Sequence, residues 1–190
     1  MIDVVTVEHE PRLGELSVAT FSPCSTYRYS LCRRWDTDRP VARFIMLNPS
    51  TADAFVDDAT IRRCVGFARA WGCGGLLVLN LFAYRATAPK DMLAVADPVG
   101  PVNNAFLSAL AADAASPVVA AWGAHGGHRG RDQQVLALLE TARVRVQCLG
   151  VTGGGMPRHP LYLPNAATLT DYRLRADEGP GVVDTLGGHP

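Results

Sequence analysis

Two asparagines, a histidine and a tryptophan–glycine pair stand where apolar runs end. Asn48 closes ARFIMLN and opens Asn48-Pro49-Ser50-Thr51, and Asn80 closes LLVLN. Trp122-Gly123 closes VVAAW, and His159 follows Arg158 in a loop rich in Gly and Pro. An asparagine amide carries both a donor and an acceptor, which suits the polar edge of a nucleobase or the orientation of a water molecule. A histidine can donate to a developing negative charge or exchange a proton near neutrality. The set holds no strong nucleophile and no evident metal cage. It suits a reaction in which a leaving group is stabilised while water is positioned.

Each residue also has a structural reading. Asn48 before Pro49 can simply turn the chain, Trp122 can be core, and Gly123 can be there to let the backbone turn. Asn80 ends an apolar strand, where an unpaired amide is costly, so it must bond either loop backbone or a ligand. Of Asp53, Asp57 and Asp58, at least one is expected to cap the next helix; a second could activate water or bind a cation. Arg62, Arg63 and Arg85 read as surface or ion-pair residues, or as contacts to a phosphate. His125 and His128 with Arg129 and Arg131 read as a mobile Gly-rich turn or a small anion patch. Gly153-Gly154-Gly155 is too irregular for a phosphate loop, and GK[ST] does not occur.

The elements that must carry these residues follow from patterning. ELSVATFS and YRYSLCRRW read as two short antiparallel strands between about residues 15 and 36. Four apolar runs, ARFIMLN, LLVLN, VVAAW and VRVQCLG, read as strands, the first three buried on both faces. Helical spacing at Ile61, Cys64, Val65 and Ala68, at Phe106, Leu107, Leu110, Ala111 and Ala114, and at Val135, Leu136, Leu139 and Ala142 places helices between them. LFAYRATAPKDMLAVADPVGP reads as a long connection. The alternation predicts one three-layer α/β domain over residues 1–175. It has a mostly parallel central sheet of about four strands, an N-terminal antiparallel hairpin and a flexible tail at 176–190. Ligands of such sheets bind beyond the carboxyl ends of the strands, where the polar set lies.

Composition narrows the field. At 48% hydrophobic and 19% charged the chain has enough apolar residues for a core and is not a disordered chain. Eighteen basic residues balance eighteen acidic ones, so no broad field draws nucleic acid or anionic lipid, and any such contact needs a local patch. The apolar runs are too short to span a membrane, and MIDVVTVEHEPR does not have the form of a signal peptide. Five scattered cysteines lack metal-binding spacing. A cytoplasmic protein without metal or other cofactor is expected. The oligomeric state is left open.

The series LNPSTAD, DDATIRR, NLFAYRAT, AWG and HPLYLP resembles the signature of an uncharacterised bacterial and phage domain family. More distantly, LNPS at 47–50, LLVLN at 76–80, AAWG at 120–123 and HPLYL at 159–163 are similar, in order and in place at strand ends, to motifs of the uracil-DNA glycosylase superfamily. That resemblance implies that Asn48 orients the attacking water, Asn80 reads the edge of a base and His159 stabilises the departing anion. It also implies that Leu163 is an apolar wedge that props open a duplex. Phe55 is a candidate for the aromatic that stacks on the base. The chain departs from the superfamily in having Leu161 where a phosphate-binding Ser is expected and Met46 in place of a Gly.

The expected function is therefore an N-glycosidase-like hydrolase acting on a nucleobase in nucleic acid or a nucleotide. Asn48 and His159 are expected to be catalytic. Pro49, Ser50, Asp53, Phe55, Asn80, Arg85, Trp122, Gly123 and Leu163 are expected to bind substrate. One alternative is a base-binding module without turnover. Another is a metal-assisted phosphohydrolase built from Asp53, Asp57, Asp58 and a histidine.

Overall fold

The computed structural model describes residues 3–112 and 116–173; the tail expected at 176–190 lies outside them. Eight strands form one sheet: β1 (Val5–His9), β2 (Leu16–Phe21), β3 (Arg28–Arg34), β4 (Val41–Met46), β5 (Gly75–Asn80), β6 (Val118–Ala120), β7 (Val146–Cys148) and β8 (Thr170–Asp171). Their spatial order is β1-β2-β3-β5-β4-β6-β7-β8.

This corrects the expected mostly parallel sheet of about four strands. Four of the seven pairings are antiparallel: β1–β2, β2–β3, β3–β5 and β7–β8. The sheet is mixed. The N-terminal hairpin is not an appendage, because β3 bonds directly to β5 in the register Leu31↔Val78 and Arg34↔Gly75. β1 and β8 carry no apolar alternation strong enough to announce them; β1 is mostly exposed and β8 fully so.

The interior strands are built as their composition dictates. Alternate residues of β4 face opposite ways, with Ala42, Phe44 and Met46 on one side of the sheet and Ile45 and Leu47 on the other. Helix α1 (Ala59–Ala70) covers the first side through Ile61, Cys64, Phe67 and Ala68. Phe44, Trp71 and Phe67 stack in series there, with ring centroids 5.8 and 5.7 Å apart. The other side is covered by α2 (Pro89–Ala94), α3 (Asn103–Ser108) and α4 (Arg131–Thr141) through Met92, Leu107, Val135 and Leu139. Helix α2 lies within the stretch expected to be a plain connection. Its start is marked by Pro89 at the first helical turn.

One topological feature positions the site. From β4 the chain passes through α1 to β5 on one side, then returns across β4 to β6 on the other. The carboxyl ends of β5, β4 and β6 therefore part at β4, with Met46 level with Asn80 and Ile45 level with Ala120. Such a reversal opens a crevice. No helix among the described residues is long and apolar enough to cross a membrane.

Candidate functional site

A cavity of about 530 Å³ occupies that crevice. Asn48, Ser50, Asn80, Trp122, Gly123 and His159 all line it, so the two asparagines and the histidine converge from three different strand ends. A hollow of about 600 Å³ lies at the far edge between α4 and β7–β8. It contains none of these residues, and its Arg145 and Asp171 pair with each other at 2.7 Å.

The two asparagines present opposite groups. Asn48 Nδ2 donates to Ala86 O at 2.8 Å and to Pro49 O at 3.1 Å. With the amide held that way, its oxygen is what remains to meet a ligand or water. Asn80 is 1% exposed, and its Nδ2 has no hydrogen-bond partner among the described residues. A buried donor left unmet costs about 1–3 kcal/mol, so this group calls for an acceptor from the cavity.

His159 is half-buried and accepts the Leu161 backbone N–H on Nδ1 at 3.4 Å. Burial lowers its pKa below the usual histidine value, against an opposing pull from Asp58. The ring is therefore neutral at pH 7, and with Nδ1 accepting, Nε2 carries the proton and is a donor. Its loop is tied down on two sides. Gly123 N donates to Pro157 O at 2.9 Å, and Arg63 of α1 donates to Leu163 O and Asn165 Oδ1. Gly123 sits at φ 71° and ψ −167°, a conformation open essentially only to glycine. Trp122 is buried with its indole under Gly126, where any Cβ would lie 2.0 Å from the ring.

The other expected residues lie elsewhere. Pro49 is buried beside the cavity and its carbonyl accepts from Ala86 N at 2.9 Å. Asp53 Oδ1 accepts from Phe55 N at 2.8 Å and Val56 N at 2.9 Å, closing its own loop. Phe55 is 63% exposed and meets the His9 ring at a tilt, 5.0 Å between centroids, away from the crevice. Arg85 lies in an adjoining hollow. Leu163 is packed into the α1-side core and cannot serve as an exposed wedge; beside it Leu161 is exposed at 38% and Tyr162 at 78%.

The carboxylates of the metal reading are engaged separately. Asp57 pairs with Arg33 at 2.7 Å, and Asp58 caps α1 by accepting from Ile61 N at 2.8 Å. No group of three or more His, Cys, Asp or Glu among the described residues is placed to hold a metal ion. The arginines of the basic Gly-rich turn are structural as well, whereas His125 of that turn lines the cavity. Arg129 donates to Val95 O and Ala96 O, and Arg131 to Leu81 O and Asn104 Oδ1.

Two further lining residues matter, of which Asp58 was already a candidate in the sequence and Arg28 was not. Asp58 and the first turn of α1 form one wall, bringing the positive end of a twelve-residue helix to the cavity. Arg28, the first residue of β3, is 3% exposed and also lines it. Its guanidinium donates to Ala52 O, and its buried Nε has no partner among the described residues. Burial holds its pKa down at about 10. The only hint in the sequence was an arginine among the apolar and aromatic residues of YRYSLCRRW.

All the residues that line this cavity except Tyr162 fall in the stretch that a family model matches. The chain belongs to the family described as "Protein of unknown function (DUF1643)". The family model matches residues 28–161, so both its first residue, Arg28, and its last, Leu161, line the cavity, while β1 and β2 lie outside it. No curated protein and no solved structure matches the chain.

Proposed function

We propose that the cavity binds a nucleobase-bearing ligand and hydrolyses its N-glycosidic bond. The observation that carries this reading is the convergence of Asn48, Asn80 and His159 on one cavity with complementary free groups. These are an acceptor on Asn48 and donors on Asn80 and His159. In the step proposed, the C–N bond breaks and its electron pair leaves with the base. The anion so formed takes hydrogen bonds from Asn80 Nδ2 and His159 Nε2. Water oriented by the Asn48 oxygen adds to the sugar cation and gives up a proton to solvent. The motif order that resembles the uracil-DNA glycosylase superfamily agrees with these roles, as does a volume within the range of small-ligand sites. The five free cysteines fit a reducing, cytoplasmic setting.

The test is base release from defined nucleosides, nucleotides and oligonucleotides by the wild type and by His159→Ala. Removing one donor to a developing anion lowers the rate by about 10²–10³. Equal rates in the two proteins would remove the mechanism.

One observation favours a second reading, binding without turnover. Among the described residues Asp58 is the only carboxylate that lines the cavity, and its Oδ1 is engaged as the α1 cap. Tight binding across a substrate panel in which no base is ever released would select this reading over hydrolysis.

A further inference from the structure

A second hollow, of about 400 Å³, adjoins the cavity, and Ser50, Ala86 and Thr87 line both. In it the hydroxyl-bearing residues Ser25, Thr26, Ser50, Thr51 and Thr87 surround Arg85. Arg85 donates to Ser25 O at 3.1 Å and lies over the Phe21 ring, 5.1 Å from its centroid, while its buried Nε has no partner among the described residues. Across the shared wall, Arg28 is in the same condition. Among the described residues neither guanidinium has a carboxylate within ion-pair distance, whereas Arg33 of the same region is paired with Asp57. The acidic groups whose field acts on Arg28, Asp58 and Asp53, are engaged with backbone N–H groups. The two arginines repel each other. A buried guanidinium with no carboxylate at ion-pair distance is costly, and the field of Asp58 and Asp53 offsets that cost only in part. Arg28 with the half-buried Arg85 therefore makes a place for an anion that arrives with the ligand.

We propose that the wall shared by the two hollows holds the phosphate of a nucleotide, paired with Arg28 on one side and Arg85 on the other. The base then extends into the cavity toward Asn80 and His159. The inference rests on the nucleobase reading of that cavity and narrows it from any base-bearing ligand to a phosphorylated one. A phosphate suits the place because two planar guanidinium groups and a ring of hydroxyls offer more donors than a single carboxylate can accept. A chain of zero net charge has no general attraction for polyanions, so a local pair of arginines is what must supply the affinity. The phosphate can belong to a free mononucleotide or to a nucleic-acid backbone.

The experiment is calorimetric titration with the four common ribonucleosides, their 5′-monophosphates, inorganic phosphate and a short single-stranded oligonucleotide. The proteins are the wild type, Arg85→Gln and Arg28→Gln. Arg85 is only half-buried, so its variant keeps the test open if Arg28→Gln fails to fold. In the wild type a monophosphate binds at least about tenfold more tightly than its own nucleoside, and Arg85→Gln removes that difference. An oligonucleotide that outbinds the mononucleotide with the same dependence on Arg85 supports the subsite and places the phosphate in a backbone. Equal binding of nucleoside and monophosphate by the wild type overturns the proposal and leaves the nucleobase reading standing. Arginine-dependent binding of inorganic phosphate, with no preference for any base, keeps the anion subsite and sinks the nucleobase reading. Binding of none of these probes removes both.

Discussion

The two halves of the sheet reach the same cavity from opposite ends of their strands. In the half where β5, β4 and β6 run parallel, the last residues arrive at the crevice, and they are amides and an indole: Asn80, Asn48 and Trp122. In the half where β3 runs antiparallel to β5, the first residue arrives, and it is a cation, Arg28. Arg28 N even donates to Ala83 O just past the end of β5, which fixes the level at which β3 begins. Strand direction thus decides which end of a strand can do chemistry. It also divides the labour: the parallel half supplies neutral hydrogen-bonding groups, and the antiparallel half supplies charge.

The largest expected effect tests whether the amides of the parallel half serve a ligand or the fold. Asn80 and Asn103 are both fully buried, but Asn103 Nδ2 donates at 3.0 Å to each of Asn80 O and Leu81 O, while Asn80 Nδ2 donates to nothing described. Asn80→Leu should lower base release by about 10²–10³ without lowering stability to denaturant. Asn103→Ala should cost about 1–2 kcal/mol of stability, since Asn80 O loses this donor while Leu81 O keeps Arg131 Nε. If Asn80→Leu proves the more destabilising of the two, Asn80 holds the fold together and the division of labour fails.

A middle-sized effect sharpens the same contrast within β3. Arg33 donates twice to Asp57 Oδ1, at 2.9 and 2.7 Å, and is 8% exposed, whereas Arg28 at the other end of the strand has no carboxylate partner among the described residues. Arg33→Gln should cost about 1.5–3 kcal/mol of stability and change nucleotide affinity less than twofold. Arg28→Gln should do the reverse, losing monophosphate affinity by about tenfold or more with a smaller change in stability. Matching profiles for the two variants would mean that strand position does not separate binding from folding.

How much of this was legible depended on which half carried it. The parallel strands announce themselves as unbroken apolar runs, and the polar residue that ends each run is marked by its position. Asn48, Asn80 and Trp122-Gly123 stood out for that reason, whereas His159, well past the end of β7, stood out through its place in HPLYLP. Sheet composition could not, because an antiparallel hairpin looks the same whether it stands alone or bonds to a neighbour; only the β3–β5 register shows that it joins. The same blindness hid Arg28, which marks the start of a strand rather than its end. Phe55 and Leu163 were misplaced for a different reason. Their positions depend on loop paths, set by Asp53 folding its own loop and by Arg63 pulling Leu163 O onto α1, and neither has a periodic signature.

The smallest expected effect is a slope, and it asks whether the loop after the last parallel strand delivers a neutral donor, as the asparagines do, or a charge, as Arg28 does. Burial puts the folded-state pKa of His159 below its unfolded value of about 6.5. Between those two values the unfolded chain binds more protons than the folded one, so stability rises with pH through that window. The contribution is fully present above about pH 6.5 and is lost as pH falls toward the folded pKa. His159→Gln should flatten that part of the stability profile relative to wild type, the difference between the two curves isolating this residue from the other histidines. Base release should hold level as pH falls through about 6.5 and decline only below it, where protonation of Nδ1 displaces the Leu161 N–H. A rate that climbs as pH falls through that range would make the imidazolium the working form, and His159 would then belong with Arg28 rather than with the asparagines.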